Sequence, residues 1–135
     1  MISLAEILKA AGEPTRLRIL NLLQLGAVCV SDLHSLLEVS QPTVSRHLAV
    51  LRYAGLVADF REGSRVLYSL SPAASPQLQA LWQLLEHCCS AEGVLREDLS
   101  RLKRAVREGE CRLVATERER HRKQEKRARN LSVAA

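Results

Sequence analysis

Apolar positions recur at helical spacing over the first third of the chain. Ile2, Leu4, Ile7, Leu8 and Ala11 predict a first short helix that ends near Gly12. Pro14 suits the opening turn of a second helix faced by Leu17, Leu20 and Leu23, thickened by Ile19 and Leu22 and stopped by Gly26. Residues 27–30 read as a short extended piece. Ser31 is the expected cap of a third helix carrying Leu33, Leu36 and Leu37, with Asp32 suited to its positive end. After a turn at residues 38–40, Ser40 and Pro42 open a fourth helix whose inward stripe is Val44, Leu48 and Leu51 and whose stop is Gly55. The period then shortens. Residues 56–61 and 65–70 flank Glu62-Gly63-Ser64 as a β-hairpin. Ser75 and Pro76 start a long helix striped by Leu78, Leu81, Trp82 and Leu85, interrupted at residues 90–93. Leu95, Leu99, Leu102 and Val106 resume a seam at steps of four, three and four. Beyond Cys111 the apolar pattern fails.

Composition agrees with a mainly α chain carrying a small β-hairpin. The 135 residues include 24 leucines, and aromatics make up only 3%, a balance that favours helices over sheet. That length holds one domain with an appendage. The organisation expected is a DNA-binding unit over residues 1–72, a helical dimerisation and sensor segment over 73–111, and a basic, disordered tail over 112–135. No apolar run approaches the ~20 residues of a membrane span, and the N-terminus, with Glu6 and no basic lead, does not read as a signal peptide. A cytoplasmic protein with reduced cysteines is expected.

Charge changes the picture through its placement. The net charge is +5, and the eight basic and three acidic residues from Arg112 onward account for all of it. Any nucleic-acid surface on residues 1–111 must therefore rest on local arrangement. The fourth helix places Gln41, Thr43, Ser45 and Arg46 near its start, and Arg61 and Arg65 flank the glycine turn of the hairpin. Alone, these helix residues read as an ordinary solvated face. Two short helices joined by a tight turn and followed by a basic hairpin are, however, the parts of a winged helix-turn-helix. In such a unit one helix enters the major groove and the wing tip lies along phosphates.

The segments Leu8-Lys9-Ala10-Ala11-Gly12-Glu13-Pro14-Thr15-Arg16-Leu17-Arg18-Ile19-Leu20, Ser40-Gln41-Pro42-Thr43-Val44-Ser45-Arg46-His47-Leu48 and Leu51-Arg52-Tyr53-Ala54-Gly55-Leu56-Val57, leading into Arg61-Glu62-Gly63, carry a family resemblance. The chain resembles the ArsR/SmtB family of winged-helix metal- and thiol-sensing repressors over about residues 4–71. The resemblance implies a homodimer paired through its terminal helices that binds double-stranded operator DNA. It also places Ser40, Gln41, Thr43, Ser45, Arg46 and His47 on or beside the recognition helix, with a packed role for His47 as the alternative.

The cysteines carry the candidate sensor chemistry. Where the arsenic-responsive branch opens its third helix with Cys-Val-Cys-Asp-Leu-Cys, this chain has Cys29-Val30-Ser31-Asp32-Leu33-His34. That three-thiolate site is absent, and Cys29 and His34 read first as residues of a strand-to-helix junction. Two potential ligands do not close a zinc site. His87 beside Glu86 is a poor match to the Asp and His pairs of the zinc branch. Cys88 and Cys89 are adjacent, just before the interruption, with Cys111 some twenty residues on. Soft thiolates select thiophilic ions, and family members that sense trivalent arsenic or antimony look similar. Neighbours on a regular helix point about 100° apart, so sharing one ion requires the turn to fray. The plain alternative is that one of the pair fills the seam next to Leu85.

The expected function is thus a dimeric repressor that needs no cofactor to bind DNA and is released by As(III) or Sb(III) at Cys88, Cys89 and Cys111, with Cys29 ranked behind them. A redox or reactive-sulfur switch of the same fold is the alternative, though the second helix lacks the cysteine such family members use. A constitutive nucleic-acid binder driven by the tail stands third. No glycine-rich nucleotide loop, acid/base pair or Cys-x-x-Cys points to an enzyme.

Overall fold

Capping residues and leucine stripes set the helices of this computed structural model, which describes residues 2–73, 75–88 and 91–134, with the backbone alone of Cys88, Arg118 and Ala134. Helix α1 (Leu4–Ala11) opens on a capping box between Ser3 and Glu6, which satisfies two otherwise orphaned amide donors. Helix α2 (Pro14–Leu23) starts at Glu13, whose carboxylate accepts from Arg16 N at 2.8 Å. Ile19, Leu20, Leu22 and Leu23 point into the core. Strand β1 is Val28–Cys29, and α3 (Val30–Leu37) follows at once. Its cap is Cys29, not Ser31 as expected, and no side chain bonds there. The strand runs directly into the helix, so the start falls two residues early.

Helix α3 ends on Glu38 in the left-handed conformation (φ 55°). His34 Nδ1–H donates to Val39 O at 2.8 Å and fastens the tight turn. Helix α4 (Gln41–Tyr53) buries Val44, Leu48 and Leu51, the stripe its periodicity predicts. Ser40 stands at its N-cap position but gives no cap bond, donating instead to Thr43 Oγ1 at 2.8 Å. Strands β2 (Val57–Glu62) and β3 (Arg65–Leu70) form the hairpin, with Val57 opposite Leu70 and Glu62 opposite Arg65. Strand β1 joins on the far side of β3, giving an antiparallel sheet ordered β1-β3-β2.

Helix α5 (Pro76–Cys88) is capped by Ser75 Oγ, which accepts from Leu78 N at 3.2 Å. Its Trp82 is buried, and the indole N–H reaches Ser71 O at 3.1 Å. Helix α6 (Gly93–Arg107) packs on α2 and α3. Leu95 and Leu102 are buried as the seam predicts, and Asp98 is buried with them. Arg18 holds that carboxylate with two bonds of 2.8 and 3.0 Å, and Asn21 donates to Leu95 O at 2.9 Å. Fully burying one leucine contributes roughly 1.5–3 kcal/mol, so this stripe and the ion pair together fix α6 to the body.

The chain then doubles back along the sheet. Ala27 and Val114 exchange backbone hydrogen bonds of 2.8 and 3.0 Å as an isolated antiparallel bridge. The strap lies so close that a Cβ on Gly26 (φ 146°) would meet Val114 O at 2.7 Å. Residues 117–134, part of the 112–135 segment expected as a disordered tail, form helix α7 (Glu117–Ala134). The segment has no Gly or Pro and is rich in Arg, Lys, Glu, Gln and Ala, which are strong helix formers. Arg122 ties its first turns to Glu86 at 2.6 Å and to Glu119 at 3.1 Å. Among the described residues, no helix is long and apolar enough to cross a membrane.

Candidate functional site

Two places collect the residues singled out by chemistry: the outer face of α4 with the hairpin tip, and the junction of β1, α3 and the strap. On the first, Gln41, Ser45 and Arg46 are exposed. Thr43 is half-buried and accepts from Ser40 Oγ and, at 3.2 Å, from Arg46 Nη2. Arg61 and Arg65 are exposed at the end of the hairpin, either side of the two-residue turn at Gly63, where φ is +63°. The surface therefore offers amide, hydroxyl and guanidinium donors on one helix start and two cations on the adjoining wing. That set suits base edges on one element and phosphates on the other.

His47 faces a different way. It is half-buried, with Nδ1 lying 3.4 Å from Arg16 Nη1 and 3.7 Å from Glu13 Oε2. Arg16 also donates to Ala10 O at 2.6 Å. One guanidinium thus links the end of α1, the start of α2 and the inner side of α4. These contacts hold the angle at which α4 is presented, a role the residue pattern alone did not assign to Arg16.

The second place forms where the strap passes the start of α3. Cys111 is buried against Asp32. Burial first, then the Asp32 carboxylate, then Cys29, push its thiol up to about 12, so it stays protonated at neutral pH. Asp32 Oδ2 is itself buried without a well-aligned hydrogen-bond partner. Cys29 packs with Ala27, Leu67 and Val114, and its Sγ lies 3.3 Å from Ser31 Oγ. A cavity of about 310 Å³ opens beside Cys111 and Asp32, lined also by Arg101, Arg104 and Glu110. His34, engaged with Val39 O, closes its turn instead of facing a ligand. Of the expected sensor set, the Cys88 side chain and Cys89 lie outside the described residues. Among those described, no three His, Cys, Asp or Glu side chains are arranged to hold a metal ion.

The fold and this surface have counterparts. Residues 13–59, from the cap of α2 to β2, match the family model described as bacterial regulatory protein, arsR family. The chain is 48% identical over 65 residues to an uncharacterized HTH-type transcriptional regulator of Methanocaldococcus jannaschii, covering 47% of this chain and 73% of that one. The chain belongs to the arsR family. It is also 48% identical over 68 residues to the arsenical resistance operon repressor of Escherichia coli K12, covering 50% of this chain and 58% of the repressor. The solved structure of reduced HlyU from Vibrio cholerae is 40% identical, with a TM-score of 0.55, covering 62% of this chain and 84% of that one. The arsR-family relatives are DNA-binding transcriptional regulators, not enzymes. In this arsR-family chain the matched segment includes α4 and Asp32 and stops before the strap, so Cys111, which meets Asp32, lies beyond what the family model covers.

Proposed function

We propose that this chain is a dimeric transcriptional repressor that reads operator DNA through α4 and the wing and lets go when trivalent arsenic or antimony binds its thiols. The observation that carries the DNA half is the shared exposure of Gln41, Ser45 and Arg46 on α4 with Arg61 and Arg65 on the wing, inside and just beyond the segment the family model matches. Leu4 and Leu8, four apart on α1 and each more than half exposed, give the dimer an apolar stripe to cover. The inducer half is supported by similarity to the arsenical resistance operon repressor of Escherichia coli and by the thiols themselves, which select thiophilic ions. Cys88 and Cys89 remain the leading trigger, with Cys111 as their third thiol. Arsenic can only release DNA by binding the low-affinity conformation better than the DNA-bound one.

Fluorescence anisotropy tests both halves, using a duplex that the protein itself selects from random DNA. Arg46→Ala is expected to weaken binding by roughly 1–3 kcal/mol and to relax sequence preference. Arsenite added under reducing conditions is expected to release wild type and not Cys88→Ser/Cys89→Ser. Similarity to HlyU, whose structure is described as the reduced form, favours a thiol-redox switch as the second reading. Release by peroxide, reversed by reductant, with no response to arsenite would replace the first reading with it.

A further inference from the structure

The sheet has a second face, turned away from the main core. Strand alternation puts Ala58 and Phe60 of β2 on it, opposite Ser69 and Leu67 of β3. The strap covers Leu67, which packs with Ala27, Cys29 and Val114, and leaves Phe60 39% exposed. Helix α7 stands across from the rest of that face. Between them lies a cavity of about 920 Å³, whose lining also includes Leu70 and Pro72.

The α7 side of this cavity is ionic. Arg122, Lys126 and Arg129 follow at steps of four and three and so share one face of the helix. Arg122 is engaged by Glu86 and Glu119, and Glu125 lies 3.5 Å from His121. That leaves Arg120, Lys126 and Arg129 on the lining, without an ion pair among the described residues, against the carboxylate of Glu117.

We propose that this cleft binds a small organic carboxylate with an apolar body. The body lies on Phe60 and Leu70, and the carboxylate faces Arg120, Lys126 and Arg129. The two walls select that chemistry together. An inorganic anion leaves Phe60 in water, and a neutral apolar molecule leaves the cations unused. Cavities of roughly 300–1,000 Å³ with apolar walls and a few placed polar groups hold ligands of this size. Apolar burial supplies the affinity, and the cations choose the sign of the charge. Occupancy also gives α7 the apolar contact that its own polar sequence does not provide. No thiol takes part, so the site is separate from the inducer site proposed above.

The test uses the full chain and two fluorescent probes, anilinonaphthalene sulfonate and its uncharged parent phenylnaphthylamine. Wild type should bind the sulfonate more tightly. Arg120→Gln/Lys126→Gln/Arg129→Gln should weaken the sulfonate about tenfold, the loss expected for a charge-assisted hydrogen bond, and leave the parent unchanged. Arg96→Gln/Lys103→Gln/Arg107→Gln removes the same charge from exposed positions of α6 outside the cavity and should change neither. Phe60→Ser should weaken both probes by roughly fivefold. Far-ultraviolet circular dichroism checks that each variant keeps its helices. Decanoate or naphthoate should displace the sulfonate, and the stronger competitor identifies the apolar body as acyl or aromatic. Equal losses in the α6 and α7 variants, or no loss with Phe60→Ser, overturn the site. Displacement by duplex DNA but by neither carboxylate would give these cations to nucleic acid and overturn it as well.

Discussion

Helices α6 and α7 are both long, strongly charged and C-terminal, yet they relate to the body in opposite ways. Helix α6 buries Leu95, Asp98 and Leu102 on one face, and its carboxylate is clasped by Arg18. Helix α7 is polar around most of its circumference and is tied near its start by Arg122. Charge count does not distinguish them. What separates them is an apolar stripe at helical spacing, which lets tertiary burial add to intrinsic propensity. The strap between them is held by backbone pairing to Ala27 and by the burial of Cys111.

The sharpest way to break this contrast is at Asp98. Asp98 is 3% exposed and Arg18 about a quarter exposed. Removing the acid should cost about 3 kcal/mol, the lower end of the range for a severed buried pair, because Arg18 keeps a route to water. Urea unfolding of Asp98→Ala checks this. Leu102→Ala, at a fully buried position, belongs in the same class, at roughly 2–5 kcal/mol. If Asp98→Ala unfolds at the wild-type midpoint, α6 is not anchored as described.

Much of the body was legible because its signals are local. The α4 stripe of Val44, Leu48 and Leu51, the hairpin about Gly63 and the Ser75 cap each follow from residues within a few positions. Other places depended on distant partners that no local signal names. Asp98, inside the apolar seam, takes its role only when Arg18, 80 residues earlier, is placed beside it. Asp32 reads as a helix-dipole residue until the strap delivers Cys111 to it. Arg16 gains its linking role only when α1 and α4 converge on it. In α7 the run of charge suggests a solvated coil, while the helix propensity of the residues that carry it decides the outcome.

The strap supplies the next measurement. The Cys111 thiol is pushed up to about 12 from an ordinary 9.0 by burial and by Asp32. At pH 8 that leaves about a thousandfold less thiolate than in the unfolded chain, since each pKa unit is a factor of ten. Alkylation of Cys111 by iodoacetamide, followed by peptide mass, should be slower by at least that factor in the native protein. The native rate should keep climbing toward pH 12, where the unfolded rate has levelled off near 9. Asp32→Asn should speed it by removing the charge. The same shift has a sign for stability. Between pH 9 and 12 the native thiol keeps a proton that the unfolded chain releases, so Cys111 contributes stability below 9 that is lost as pH rises through this window. Cys111→Ser should flatten that part of the profile.

The smallest effect is expected at α7. An 18-residue helix of this polarity is marginal in isolation, and its tie to Glu86 is a partly exposed ion pair. Arg122→Ala should therefore change global stability by less than about 1 kcal/mol, while lowering far-ultraviolet helicity as the helix frays from the body. Removing residues 117–134 should match the point variant in urea, because little apolar surface leaves with the segment. Operator binding in a salt series then separates support from recognition. Every phosphate that the protein ceases to neutralise lowers the slope of log affinity against log salt by about one. Arg61→Ala with Arg65→Ala should lower it measurably, and truncation of α7 should lower it less. A larger drop on truncation would make α7 part of the DNA-binding surface and end its contrast with α6 as a weakly held appendage.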